Sequence, residues 1–187
     1  AVRFPEQNPP RAFIDDWLSV ADDEGRHFGL LRDRLRTMGS DYGALPAHDG
    51  LWSAAVESSR NIGARLAIAP MVLEARGLDV TPETVRRLRD AGDAASADIL
   101  QIIYDDEIGH VAAGHRWFGW VCGERGLDDP AAEWRRLVAK HFKGPLKPPF
   151  NDPARLEAGM TSDYHSRYAA EYDAFRARTG ARASREA

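Results

Sequence analysis

The sequence predicts an all-α fold, a four-helix bundle with extra C-terminal helices. Apolar residues recur at steps of three and four through several long segments, which is the spacing of one helix face. No stretch alternates apolar and polar residues at the period of a strand. The segment Asp23-Glu24-Gly25-Arg26-His27 returns as Asp106-Glu107-Ile108-Gly109-His110, each time as Asp-Glu-x-x-His inside such a face.

The chain has 187 residues, 43% of them hydrophobic and 29% charged, enough for one domain over residues 1–187 with a full core. A net charge of -4 gives no general attraction to nucleic acid or to an anionic membrane. The single cysteine, Cys122, cannot close an internal disulfide, so a reducing, cytoplasmic setting is expected. Nothing at the start resembles a signal peptide, and no apolar run approaches the roughly 20 residues of a membrane span.

The elements follow in order. Residues 1–10 read as the end of a helix at Val2-Arg3-Phe4, broken by Pro5 and then by Pro9-Pro10. A first complete helix is expected over about residues 11–38, stopped by Gly39, with Phe13, Trp17, Val20, Glu24, His27 and Leu31 along its inner face. A Gly-, Pro- and Asp-rich loop leads to a second, about 51–76, capped by Asp49 or a neighbour. Pro70 should kink this helix or open its hydrogen bonding, and Gly77 should end it. Thr81-Pro82 then reads as the start of a short helix running to about Ala91. After Gly92-Asp93 a long helix is expected over about 94–125, with Leu100, Ile103, Glu107, His110, Gly114 and Trp117 inward. The extension 130–187 should hold a helix at 130–142, an irregular Pro-rich stretch from Gly144 to Pro153, and an amphipathic helix from Thr161 to Arg178. The tail after Gly180 is expected to fray.

Glu and His three residues apart lie on one helix face about a turn apart, so both can reach one point. A carboxylate and an imidazole converging inside a bundle suit a divalent transition metal. Two such pairs, on two helices, are half of a two-metal carboxylate site; the other half is one Glu from each remaining helix. Glu74 fits one of these positions. It precedes Glu107 by 33 residues, and the same offset before Glu24 falls upstream of Ala1. The first bundle helix, with a sixth ligand, is therefore expected from an upstream segment or another subunit. The ligand set in this chain is Glu24, His27, Glu74, Glu107 and His110. Asp23 and Asp106 are placed to accept the second ring N–H of a ligand histidine, each for the histidine of the other helix. Arg76 and Asp79 should pair and brace the end of the Glu74 helix. Tyr104, a turn before Glu107, could face the metals or pack in the core.

Several segments carry a family resemblance. They are Val20-Ala21-Asp22-Asp23-Glu24 with His27-Phe28, Leu73-Glu74-Ala75-Arg76-Gly77-Leu78-Asp79, Asp106-Glu107-Ile108-Gly109-His110-Val111 and Pro148-Pro149-Phe150-Asn151. Together they resemble the bacterial ferritin-like family catalogued as domain of unknown function 455, over nearly the whole chain. The resemblance implies a ferritin-like bundle, a likeness to di-iron proteins that include a tRNA-modifying hydroxylase, and a further helix with a Glu motif before this chain starts.

Four carboxylates and two imidazoles favour a pair of iron ions, with iron plus manganese or two manganese ions as alternatives, over zinc. The expected function is an O₂-dependent oxidase or oxygenase acting on an unknown small molecule, served by a redox partner. The alternatives are a tRNA hydroxylase-like enzyme and a non-catalytic iron-handling protein. No membrane partner is expected, nucleic acid is disfavoured, and a homodimer is compatible with the sequence. Arg135, Arg136, Lys140, Lys143, Lys147 and Arg155 cluster after the bundle and could approach RNA, but a solvated helix face plus loop is the favoured reading. Gly63, Ala64, Ala67 and Gly114 are expected to leave room for O₂ or a small substrate.

Overall fold

The computed structural model describes residue 4, residues 7–143 and residues 145–183. The expectations for Val2, Arg3 and Pro5, for Gly144 and for residues 184–187 lie outside the described residues. The fold is all-α, and no strand occurs among the described residues.

Helix α1, Arg11–Thr37, ends where Gly39 takes a φ of 80°, a conformation that a side chain would strain. The second expected helix is divided. Helix α2, Gly50–Glu57, stops because the Ser58 hydroxyl bonds back to the Ala54 carbonyl at 2.7 Å and Asn61 starts a new helix. The Asn61 side chain accepts the Ala64 N–H at 3.2 Å, a regular N-cap. At the front of α2 the Gly50 N–H goes to the neighbouring His48 ring at 2.9 Å, while the Asp49 side chain takes no backbone N–H.

Helix α3, Ile62–Ile68, runs into a π-helical turn, Ala69–Glu74, and then into α4, Ala75–Asp90. Pro70 has no N–H to return to the carbonyl four residues back, so the hydrogen bonding opens there. The indole N–H of Trp134 donates to the nearby Ala67 carbonyl at 3.1 Å. The extra residue of the π-turn rotates the following face by about 100°, which changes where Glu74 points.

The expected stop at Gly77 and restart at Pro82 do not occur, because α4 runs through both. Pro82 lacks the N–H that the Leu78 carbonyl needs, and the side chain of Asn151 supplies one at 3.0 Å. Leu78 and the Asp79 carboxylate are fully buried, so tertiary contacts hold this stretch helical against its local signals. Gly92, with a φ of 81°, turns the chain, and Asp93 caps α5, Ala94–Glu124, by accepting the Ser96 N–H at 3.0 Å.

Helix α6, Pro130–His141, matches its expected span. A short helix α7, Asp152–Glu157, starts within the last two residues of the stretch expected to be irregular and runs past it, capped by Asn151 and started with Pro153. Helix α8, Ser166–Ala183, follows a 3₁₀ turn at Ser162–Tyr164 and continues past Gly180.

The core sits between α3, the π-turn, α5 and α6, with Trp134, Phe118, Ile62, Leu66, Met71 and Leu137 among its fully buried side chains. Gly114 on α5 belongs to this packing. A Cβ there would lie 2.4 Å from the Pro70 ring, so the glycine admits the proline and leaves no channel. Ala64 and Ala67 are completely buried in the same way.

Helices α1 and α5 are antiparallel. Asp16 meets Trp117 and Arg116 at 2.7 and 2.6 Å, and Arg34 meets Asp93 and Ser96, both at 2.8 Å, so positions rise on one helix as they fall on the other. The far flank of α1 is open. Ile14, Leu18, Phe28 and Leu31 are 40%, 61%, 46% and 42% exposed, although Phe13 and His27 are buried.

Candidate metal centre

The antiparallel register brings the two Asp-Glu-x-x-His copies face to face. His27 Nε2 lies 2.9 Å from Asp106 Oδ2, and His110 Nε2 lies 3.3 Å from Asp23 Oδ2. Each aspartate thus serves the histidine of the other helix, as the repeat predicts. An Asp acceptor at Nε2 favours a proton there, so that in the neutral ring Nδ1 is the lone-pair nitrogen. Both Nδ1 atoms face the glutamates. His110 Nδ1 is 3.2 Å from Glu107 and 3.3 Å from Glu24, and His27 Nδ1 is 3.6 Å from Glu24. One ligand atom from each of Glu24, Glu107 and His110 falls within 4.8 Å of the others.

Both imidazoles are buried, yet His27 Nδ1 has no hydrogen-bond partner, and neither has Glu74 Oε2. Orphaned buried polar atoms cost free energy, and neither His27 nor Glu74 falls within the close group formed by Glu24, Glu107 and His110. Burial and then the nearby Glu107 charge raise the pKa of Glu74 to about 8. At His110 burial opposes the charged form, but the hydrogen bonds to Glu107 and Glu24 outweigh it and push the pKa up to about 10. Hydrogen bonding to His110 in turn lowers Glu24. The cluster therefore attracts positive charge, and the His110 proton provides some of it.

Arg26 is a contributor that the spacing reading passed over. Its guanidinium donates to Asp23 at 3.0 Å and to Asp106 at 2.7 Å, tying the two aspartates together. Arg26 and His110 hold Asp23 below the ordinary carboxylate range. Burial works against ionised Asp106, but His27 and Arg26 keep it low as well. The signal was present, since Arg26 sits one turn after Asp23 on the same helix face.

Glu24 departs from the expected buried stripe: its side chain is 49% exposed, against 15% for Glu107. The cause is the open flank of α1. A mostly apolar groove of about 290 Å³ runs between α1 and the α3–π-turn segment, lined by Phe13, Trp17 and Val20 on one side and Leu66 and Pro70 on the other, with Arg65 and Glu74 as its charged groups. The Trp17 indole N–H is buried there without a partner. Trp17 and Trp117 otherwise pack edge-on against Phe13, at 6.2 and 5.2 Å between ring centres, as core aromatics do.

Three expected neighbours of the centre stand elsewhere. Arg76 and Asp79 lie two and five residues beyond Glu74, so a helix turns them to another face. Arg76 donates to the carbonyls of Lys147 and Pro149 at 2.6 and 3.0 Å, and is only 3.6 Å from Asp79. The main partner of Asp79 is Arg155, bonded through Nε at 2.8 Å and Nη2 at 2.7 Å. The Tyr104 hydroxyl accepts from Asn151 at 3.1 Å, so it is committed to the Pro-rich strap. His115 turns to the Tyr164 hydroxyl at 3.1 Å, and His165 to Asp152 at 2.6 Å. The basic cluster also disperses. Arg155 is buried on Asp79, Arg136 is held by Glu133 at 2.6 Å, and Arg135 donates to the Asp163 carbonyl.

The chain matches the family described as "Protein of unknown function (DUF455)" over residues 1–166. It belongs to that family. Over 154 residues it is 42% identical to a protein of Haemophilus influenzae named "Uncharacterized protein", a match covering 80% of this chain and 52% of that one. The chain thus spans about half the length of this relative. No solved structure matches the chain. The DUF455 match includes all five candidate ligands and the strap from Lys147 to Arg155, and ends at the first residue of α8. No helix among the described residues is long and apolar enough to cross a membrane.

Proposed function

We propose that this chain supplies most of a ferritin-like dinuclear metal centre and acts as an O₂-dependent oxidase or oxygenase on a small molecule. The observation that carries the reading is the crossed Asp–His pairing. It fixes both imidazoles with Nδ1 toward the glutamates and leaves His27 Nδ1 and Glu74 Oε2 buried without partners. Glu24, His27, Glu74, Glu107 and His110 would hold the metals. Such an oxygen-rich set with two nitrogens favours iron, with manganese as the alternative. Bound iron would supply the one-electron chemistry with O₂ that side chains of this kind lack.

The rest is the work of the chain. Asp23 and Asp106 hold the histidine tautomers, and Arg26 balances the two aspartates. Met71, Val111 and Phe118 are fully buried in the core that packs on α5. Glu74 has to lose its proton, and His110 its Nδ1 proton, before either can act as a ligand. The groove beside α1 has Glu74 in its lining and is where a sixth carboxylate would enter.

The test is O₂ uptake by the Fe(II)-loaded protein. Uptake about tenfold or more above that of free Fe(II) is expected, falling to the free-iron rate in His110→Ala. Uptake no faster than free iron, in protein shown to hold iron, would overturn the oxidase reading and leave a metal-binding protein.

A further inference from the structure

A second cavity lies away from the metal centre, between the end of α6, the segment at Pro145–Lys147 and helix α8, and shares no residue with the candidate ligands. Its volume of about 560 Å³ is that of a small-molecule site. The floor is apolar and built from Val138, Phe142 and Leu146. Tyr168 and Tyr172 stand along the α8 wall, and Tyr168 is braced edge-on by Trp134 at 6.1 Å between ring centres.

The polar groups are unevenly matched. Among the described residues the Lys147 ammonium has no hydrogen bond or ion pair, while its own carbonyl is taken by Arg76 at 2.6 Å. The hydroxyls of Tyr168 and Tyr172 likewise bond to nothing described. Glu171, the one carboxylate in the lining, is already bonded to Arg167 at 2.5 Å. What remains unmatched is one positive charge and two hydroxyls over a hydrocarbon floor. A ligand complementary to this has an apolar body and a single anionic head.

We propose that this cavity binds a small apolar carboxylate, with the carboxylate on Lys147 and the tyrosine hydroxyls, and the hydrocarbon part on Val138, Phe142 and Leu146. Lys147 and the apolar floor lie within the family match over residues 1–166, while Tyr168, Glu171 and Tyr172 lie beyond it. The site does not depend on the metal reading.

Octanoate is the probe, titrated calorimetrically into the full chain, with octylamine as the charge-reversed control. Saturable octanoate binding below about 1 mM is expected, with octylamine at least about tenfold weaker. Lys147→Ala should weaken octanoate about tenfold, and Ala139→Trp, which fills the cavity from its exposed rim, should remove binding. Circular dichroism checks that both variants keep the native fold. Lack of octanoate binding by the parent chain, equal binding of octylamine, or binding unchanged in a folded Ala139→Trp variant would each overturn the assignment.

Discussion

Replacing Arg155 by alanine is expected to destabilise the fold by about 3–5 kcal/mol, the cost of leaving one member of a buried ion pair without its partner. The Asp79 side chain is 0% exposed and that of Arg155 4%, so water cannot take over when the guanidinium is removed. Asp79 would keep only the Asn151 N–H at 2.9 Å and the looser ion pair with Arg76 at 3.6 Å. The loss also removes the guanidinium lying 5.1 Å over the Phe150 ring. For a chain of this size the melting temperature should drop by about 6–20 °C. Lysine should not rescue, because one ammonium cannot reproduce the two-point contact. Arg136→Ala, which breaks a pair with an exposed arginine, is the control and should cost at most about 1 kcal/mol. A drop in Arg155→Ala no larger than in that control would show that the Asp79 pair does not hold the strap.

The second large effect concerns Glu74 in protein stripped of metal by a chelator. Its folded pKa of about 8 lies above the ordinary value of 4.5, so between these the folded state holds a proton that the unfolded state has released. Stability must then fall as pH rises through that window, by a few kcal/mol in total. His110, raised from 6.5 to about 10, adds a further fall at higher pH, its contribution being complete below 6.5 and lost through about 10. Between about pH 5 and 6.5 the downward part of the slope belongs to Glu74, set against a rise from His115, whose pKa burial lowers. Glu74→Gln should flatten that part of the curve and make the stripped protein more stable at pH 8. Thermal unfolding of both proteins from pH 5 to 9 measures this. Parallel curves would mean that Glu74 is already ionised in the fold.

The crossed histidine pairing was legible in the sequence because it follows from local geometry. Asp, Glu and His at fixed helical offsets, present twice, determine which atoms meet once two helices are antiparallel. The course of α4 was not legible in the same way. Gly77 and Thr81-Pro82 are ordinary stop and start signals, and they are overridden by the burial of Leu78 and Asp79 and by an Asn151 side chain 69 positions beyond Pro82. A residue that completes a hydrogen bond from so far along the chain leaves no local trace. Arg155 was read as part of a basic surface for the same reason, since nothing near it in sequence announces Asp79. The division at Ser58–Asn61 and the start of α7 did carry signals, Asn61 and Asn151 followed by regular helix starts, but an apolar run masked the first and a Pro-rich one the second. The exposure of Glu24 could not be read from α1 alone, because its apolar stripe faces the groove.

The most direct test is the transition-metal content of the purified chain, by elemental analysis after incubation with Fe(II) under anaerobic conditions, beside Glu107→Ala. About two irons per chain in the parent, or iron with manganese if both are supplied, and a loss of most of this in the variant are expected, with helical circular dichroism unchanged. A parent chain that takes up no transition metal while fully folded would contradict the centre, and the crossed aspartate–histidine pairs would then be a purely structural latch between α1 and α5.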